Sequence, residues 1–183
     1  AIFSCDTLGN FGEIASLDAS TVGIYITHNL IEINNILYGT TESGGPLGND
    51  GVLFSCDTLG NIGVLGGFTS LAGSQPQGVI LASDGYLYGQ TLSPNPKIYK
   101  ILPNGNNFTI IHNFSLPAGG IGNLVEGSDG FFYGFNYVTG GIGLYKINSD
   151  GTQYYQIHNF GPNVGNIGRP LVETKPGLFY GSV

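Results

Sequence analysis

The stretch "IFSCDTLGN" at Ile2 to Asn10 returns almost letter for letter as "LFSCDTLGN" at Leu53 to Asn61, so that Phe3 and Phe54 stand 51 residues apart. Repetition at a fixed period decides a fold, so repeats are sought before single motifs. Working outward, an aromatic-glycine pair recurs in "ILYG", "YLYG", "FFYG" and "LFYG", which spaces Tyr38, Tyr88, Tyr133 and Tyr180 by 50, 45 and 47 residues. A second register agrees: "AIFSC", "VLFSC", "KIYKI" and "GLYKI" space Phe3, Phe54, Tyr99 and Tyr145 by 51, 45 and 46. The chain reads as one repeat domain of four copies, over residues 1–51, 52–96, 97–142 and 143–183.

Landmarks keep step within each copy. Gly9, Gly60, Gly105 or Gly151 follows the first aromatic by six residues, in "LGN", "PNGN" and "SDG" contexts that tolerate positive φ and close hairpins. An apolar-ending strand comes next ("EIASL", "VLGGF", "TIIHNF", "YQIHNF"), then a Gly/Pro-rich turn and a third strand. The third strand's closing turn carries Gly85, Gly130 or Gly177 three residues before the tyrosine, with Asn35 in the first copy, and the fourth strand holds the Tyr-Gly pair. Four short strands in roughly 45 residues make one blade. The prediction is an all-β β-propeller of four four-stranded repeats, closed as four blades, forming part of a larger ring, or completed between identical chains.

Composition sets the outer limits. The 183 residues include 32 Gly and 9 Pro with only 9% charged residues, a balance of short strands and tight turns. Five Lys and Arg against 12 acids leave a net charge of −7, which argues against nucleic acid and anionic membrane surfaces as partners. No apolar run of membrane-spanning length occurs, so no membrane insertion is expected. The absence of Met implies a processed chain or a segment of something longer. Sparse Lys with abundant Asn, Gly, Thr and Tyr suits an exported protein, secreted or displayed at the cell surface.

The segment "LYGTTESGGPLGNDGVLF", with "IHNF" and "SDGFFYG" further on, resembles the bacterial GloVer tandem repeat of choice-of-anchor surface proteins. The resemblance runs through all four copies, although "FSCDTLGN" departs from the pattern in the first two and these lack its His-x-Phe motif. It implies a surface-displayed, β-propeller-like protein and carries no established catalytic residue.

Chemical motifs are weighed against ordinary structural roles. His112 and His158 share one place in "IHNF" and are expected to be local repeat residues, while His28 lies outside that register. Asp57, Asp84, Asp129 and Asp150 sit in turn sequences, and neither a His-based zinc spacing nor a calcium loop is present. No metal, cofactor or catalytic residue is assigned. Cys5 and Cys56 are expected to be free buried thiols. The connection from each tyrosine to the next copy's aromatic varies most in length, so specificity is expected there. The longest, "GTTESGGPLGNDG", offers Thr40, Thr41, Glu42, Asn49 and Asp50. Among unrepeated aromatics, Tyr25, Tyr137, Tyr154 and Tyr155, the strongest candidate is Tyr137. The expected function is a non-enzymatic binding or adhesion module for a glycan or protein. Assembly into a surface layer or filament by self-association is the alternative, and a propeller lyase or hydrolase using His28 comes third.

Overall fold

The computed structural model describes the chain except residues 27, 70, 72, 94–95, 116–119, 163–170 and 183, with backbone alone at 93, 120 and 121. It is all-β. Three four-stranded antiparallel sheets are present. The first joins β3 (Ile31–Ile33), β4 (Ile36–Thr41), β5 (Val52–Asp57) and β6 (Ile62–Gly67) in that order. The second joins β7 (Ser74–Leu81), β8 (Leu87–Ser93), β9 (Lys97–Ile101) and β10 (Thr109–Asn113), and the third joins β11 (Gly120–Glu126), β12 (Phe132–Val138), β13 (Gly141–Ile147) and β14 (Tyr154–Asn159). Two-stranded sheets flank them: β1 (Ile2–Cys5) with β2 (Phe11–Ala15), and β15 (Val172–Lys175) with β16 (Leu178–Tyr180).

Each copy does supply four strands, but no four-stranded sheet coincides with one copy. A sheet takes the third and fourth strands of one copy and the first and second of the next. The reason lies in the connections. The Tyr-Gly strand turns back into the following aromatic strand as a hairpin, with Gly39 opposite Phe54, Gly89 opposite Tyr99 and Gly134 opposite Tyr145. The Gly/Pro-rich segment after the second strand instead crosses to the next sheet. In the third and fourth copies that crossing falls largely outside the described residues.

The Tyr-Gly glycine is explained by this pairing. A Cβ on Gly39 would lie 2.8 Å from Cζ of Phe54, one on Gly89 2.4 Å from the Tyr99 hydroxyl, and one on Gly134 2.6 Å from the Tyr145 hydroxyl. The ring of the next strand covers the glycine opposite, and only a residue without a side chain leaves room. Phe54, Tyr99 and Tyr145 are all 0% exposed as a result.

Neighbouring sheets share apolar clusters, so the units form a row. Ile2 and Leu17 pack with Val52, Phe54 and Cys56; Tyr38 and Leu53 with Val79, Leu87 and Tyr99; Tyr88 and Ile98 with Phe132 and Tyr145; Tyr133 and Phe135 with Leu171 and Phe179. Carboxylates of β11 and β15 bind turns of the preceding sheet. Ser83 donates its N–H at 2.8 Å and its hydroxyl at 2.5 Å to Glu126, and Ser128 donates both groups at 2.8 Å to Glu173. No pairing between β1 and β16 occurs among the described residues.

Candidate functional site

Alternating strand direction gives each sheet two unlike ends. One carries the tight hairpins, where the repeated aspartates fold the turns around themselves. Asp57 accepts the N–H groups of Leu59 and Asn61 at 2.9 Å and the Asn61 side-chain amide at 2.7 Å, and Asp6 does the same for Leu8 and Asn10. Asn61 and Asn10 hold these two carboxyls below the usual carboxylate range. Asp84 and Asp129 take a turn N–H at 3.1 Å and the hydroxyl of Tyr88 or Tyr133, while Asp150 takes the Thr152 N–H at 2.9 Å. Burial, then the Asp129 bond, pushes the Tyr133 phenol up to about 12. Among the described residues no group of three or more His, Cys, Asp or Glu is placed to hold a metal ion.

The other end carries the unequal loops. The loop between β4 and β5 is tied down on several sides: the Gly44 N–H donates to the Asn49 side chain at 3.0 Å, the Gly45 N–H to the Ala19 carbonyl at 2.9 Å, and the Ser74 hydroxyl to Asp50 at 2.7 Å. The Gln75 N–H adds a bond to the Asp50 carbonyl at 2.9 Å. Asn49 and Asp50 thus shape this loop and anchor the start of β7. Thr40 and Thr41 are buried, and Thr41 Oγ1 donates to the Val22 carbonyl at 2.9 Å while accepting the Val52 N–H at 3.2 Å. Thr91 repeats part of that arrangement by accepting the Lys97 N–H at 2.9 Å. Of the residues singled out from sequence, Glu42 is half-buried beside His28, and Tyr137 is exposed near the turn after β12.

Three segments, each leading toward a Tyr-Gly strand, meet at Gly78. A Cβ on Gly78 would lie 2.1 Å from Oδ1 of Asn123 and 3.0 Å from Cβ of His28. His28, Gly78 and Asn123 each precede their Tyr-Gly tyrosine by ten residues, a signal present in the sequence that motif reading passed over. Asn123 Oδ1 is buried with no hydrogen-bond partner among the described residues. Burial holds the His28 imidazole below its ordinary range, and the Glu42 carboxylate opposes that shift. Glu42 is fixed in turn by its N–H, which donates to the Tyr25 carbonyl at 3.1 Å. Tyr25 itself is 65% exposed with φ of 64°, a left-handed conformation that is costly for an aromatic residue.

The remaining sequence candidates have structural surroundings. His112 stacks on Tyr154 with centroids 4.3 Å apart and meets Phe114 edge-on at 4.9 Å; His158 meets Phe160 likewise at 4.6 Å. Tyr155 lies exposed on β14. Both cysteines are free, but only Cys56 is buried: among the described residues no strand lies beside β1 where β4 lies beside β5, and Cys5 is exposed. No family model and no curated protein matches the chain.

Proposed function

We propose that the chain is a non-enzymatic binding module of a secreted or surface-displayed protein, its sheets acting as blades of a β-propeller and its loop end meeting a glycan. The carrying observation is that His28 and Asn123 both lie against Gly78, with Glu42 acting on His28 and bonded through its backbone to Tyr25, whose side chain is exposed. Left-handed φ at an exposed tyrosine is strain without benefit to the core, and such strain concentrates where a ligand is held. Polar groups that exchange hydrogen bonds with hydroxyls, beside an aromatic face, suit a sugar better than an apolar ligand. The motif resemblance to surface repeat proteins points the same way. Glycan-array binding tests the reading: Tyr25→Ala and Asn123→Ala should each abolish the signal, while Tyr155→Ala should leave it intact. Turnover of a polysaccharide, lost in His28→Ala, would overturn it in favour of an enzyme.

A further inference from the structure

We propose that one ordered water molecule is built into the contact between the first and second sheets, held by the hydroxyls of Thr40 and Tyr99, where the next contact along the row uses a direct bond. The two contacts correspond residue for residue. Thr40 and Gln90 each stand two residues after a Tyr-Gly tyrosine, and Tyr99 and Tyr145 are the rings that cover Gly89 and Gly134 of their own sheets. Gln90 pairs across the ladder with Ile98, which packs in one cluster with Tyr145 of the third sheet. Thr40 pairs with Leu53, which packs in one cluster with Tyr99 of the second sheet. Directly opposed residues of neighbouring strands share a face, so Thr40 stands before Tyr99 as Gln90 stands before Tyr145.

The satisfied contact shows what the position requires. Tyr145 donates its hydroxyl to Oε1 of Gln90 at 2.6 Å, and the Gln90 amide donates to the Gly122 carbonyl at 2.8 Å. At the counterpart, Tyr99 is 0% exposed and Thr40 3% exposed, and neither side-chain oxygen has a hydrogen-bond partner among the described residues. A hydroxyl sealed away from both protein partners and water carries its full desolvation cost, and here two of them fall at one contact. Burial also pushes the Tyr99 phenol up, so its proton stays on the oxygen and needs an acceptor.

Side-chain length supplies the gap. The threonine oxygen sits on Cβ, whereas Oε1 of glutamine lies two bonds further out, so Thr in place of Gln withdraws the polar atom by about 2 Å. With a hydrogen bond of the Gln90 length added, Thr40 Oγ1 and the Tyr99 oxygen stand about 4.5–5 Å apart, too far for a direct bond and the span of two bonds that meet at one water. A third partner is at hand in the Gly78 carbonyl. A Cβ on Gly89 would lie 2.4 Å from the Tyr99 hydroxyl and 2.7 Å from the Gly78 oxygen, and Gly78 falls in the irregular step between the pairs Pro76 with Thr91 and Val79 with Gly89. Two hydroxyls and a carbonyl make the three contacts that a buried water commonly takes. Phe54, the ring over Gly39 in the first sheet, has no hydroxyl and makes no such demand.

The test is a crystal structure of the unmodified chain at a resolution that shows ordered water, set beside that of Thr40→Gln. The expected result is a density peak about 2.6–3.2 Å from both oxygens in the unmodified chain. In Thr40→Gln the peak should be gone and Tyr99 should donate straight to the introduced amide. A dry gap, a direct bond between Thr40 and Tyr99, or a peak that persists in Thr40→Gln would overturn the proposal. Unfolding equilibria give a second reading that needs no crystal. Thr40→Val and Tyr99→Phe, which keep the side-chain shapes, should each lower the folding equilibrium constant about threefold to tenfold, and the double variant should lose markedly less than the product of the two. Losses that simply multiply would mean that the two hydroxyls share no partner, and would overturn it as well.

Discussion

Two hairpins of nearly one sequence, Ile2–Ala15 and Val52–Gly67, share their turn, their register and their irregularity, yet Phe3 is exposed and Phe54 is wholly buried. Local sequence determines how the chain turns back on itself. It does not determine whether a side chain is covered, because the cover comes from a strand in another copy. Within one molecule the same letters act as core in one place and as an open contact in the other.

The largest effect that can break this contrast is a cavity. Phe54→Ala should cost about 3–5 kcal/mol in denaturant unfolding, whereas Phe3→Ala should cost under about 1 kcal/mol in dilute protein. Equal losses would mean that Phe3 is already covered. Next comes overpacking: Gly39→Ala, which pushes a methyl against Phe54 and Leu30, should destabilise by about 1–3 kcal/mol, and Gly181→Ala by much less in dilute protein. Thiol labelling sharpens the comparison without mutation. Burial, with Asp57 adding to it, pushes the Cys56 thiol up, so Cys5 should react with a thiol reagent at least about tenfold faster. Comparable rates would show that the first sheet opens as readily as the end hairpin.

Where the two hairpins agree, mutants should agree too. Asp6→Ala and Asp57→Ala should raise amide exchange of their own turns to a similar extent, and a difference would mean that tertiary cover reaches the turn. The smallest effect belongs to a histidine inside the complete sheets. Burial lowers the His112 pKa, so the unfolded chain binds the extra proton first as pH falls through about 6.5. Stability contributed by neutral His112 is therefore complete above that pH and declines below it towards the folded pKa. Unfolding midpoints followed with pH should fall in acid and fall less steeply in His112→Gln.

Strands and turns were legible because their signals are local: Asp and Asn around Gly9 and Gly60, and short apolar runs such as "VLF" between those turns. The ring over the Tyr-Gly glycine was also foreshadowed by the repeated aromatic. Sheet membership was not, since a copy and a sheet have equal strand counts and differ only in which connection turns back and which crosses. Loop length suggested Thr40 and Thr41 as ligand contacts, but they continue β4 inward, where their neighbours come from residues far along the chain. His28 and Asn123, 95 residues apart, both lie against Gly78, an arrangement that depends on three segments arriving together.

The half-copy offset between repeat and sheet has a mechanical meaning. Bricks laid with staggered joints resist a crack because no seam runs straight through the wall. Here every four-stranded sheet straddles a boundary between copies, so pulling away either middle copy tears two sheets. Load applied along the chain is shared across boundaries instead of collecting at them, and a duplication that lengthens the row interlocks with what is already there.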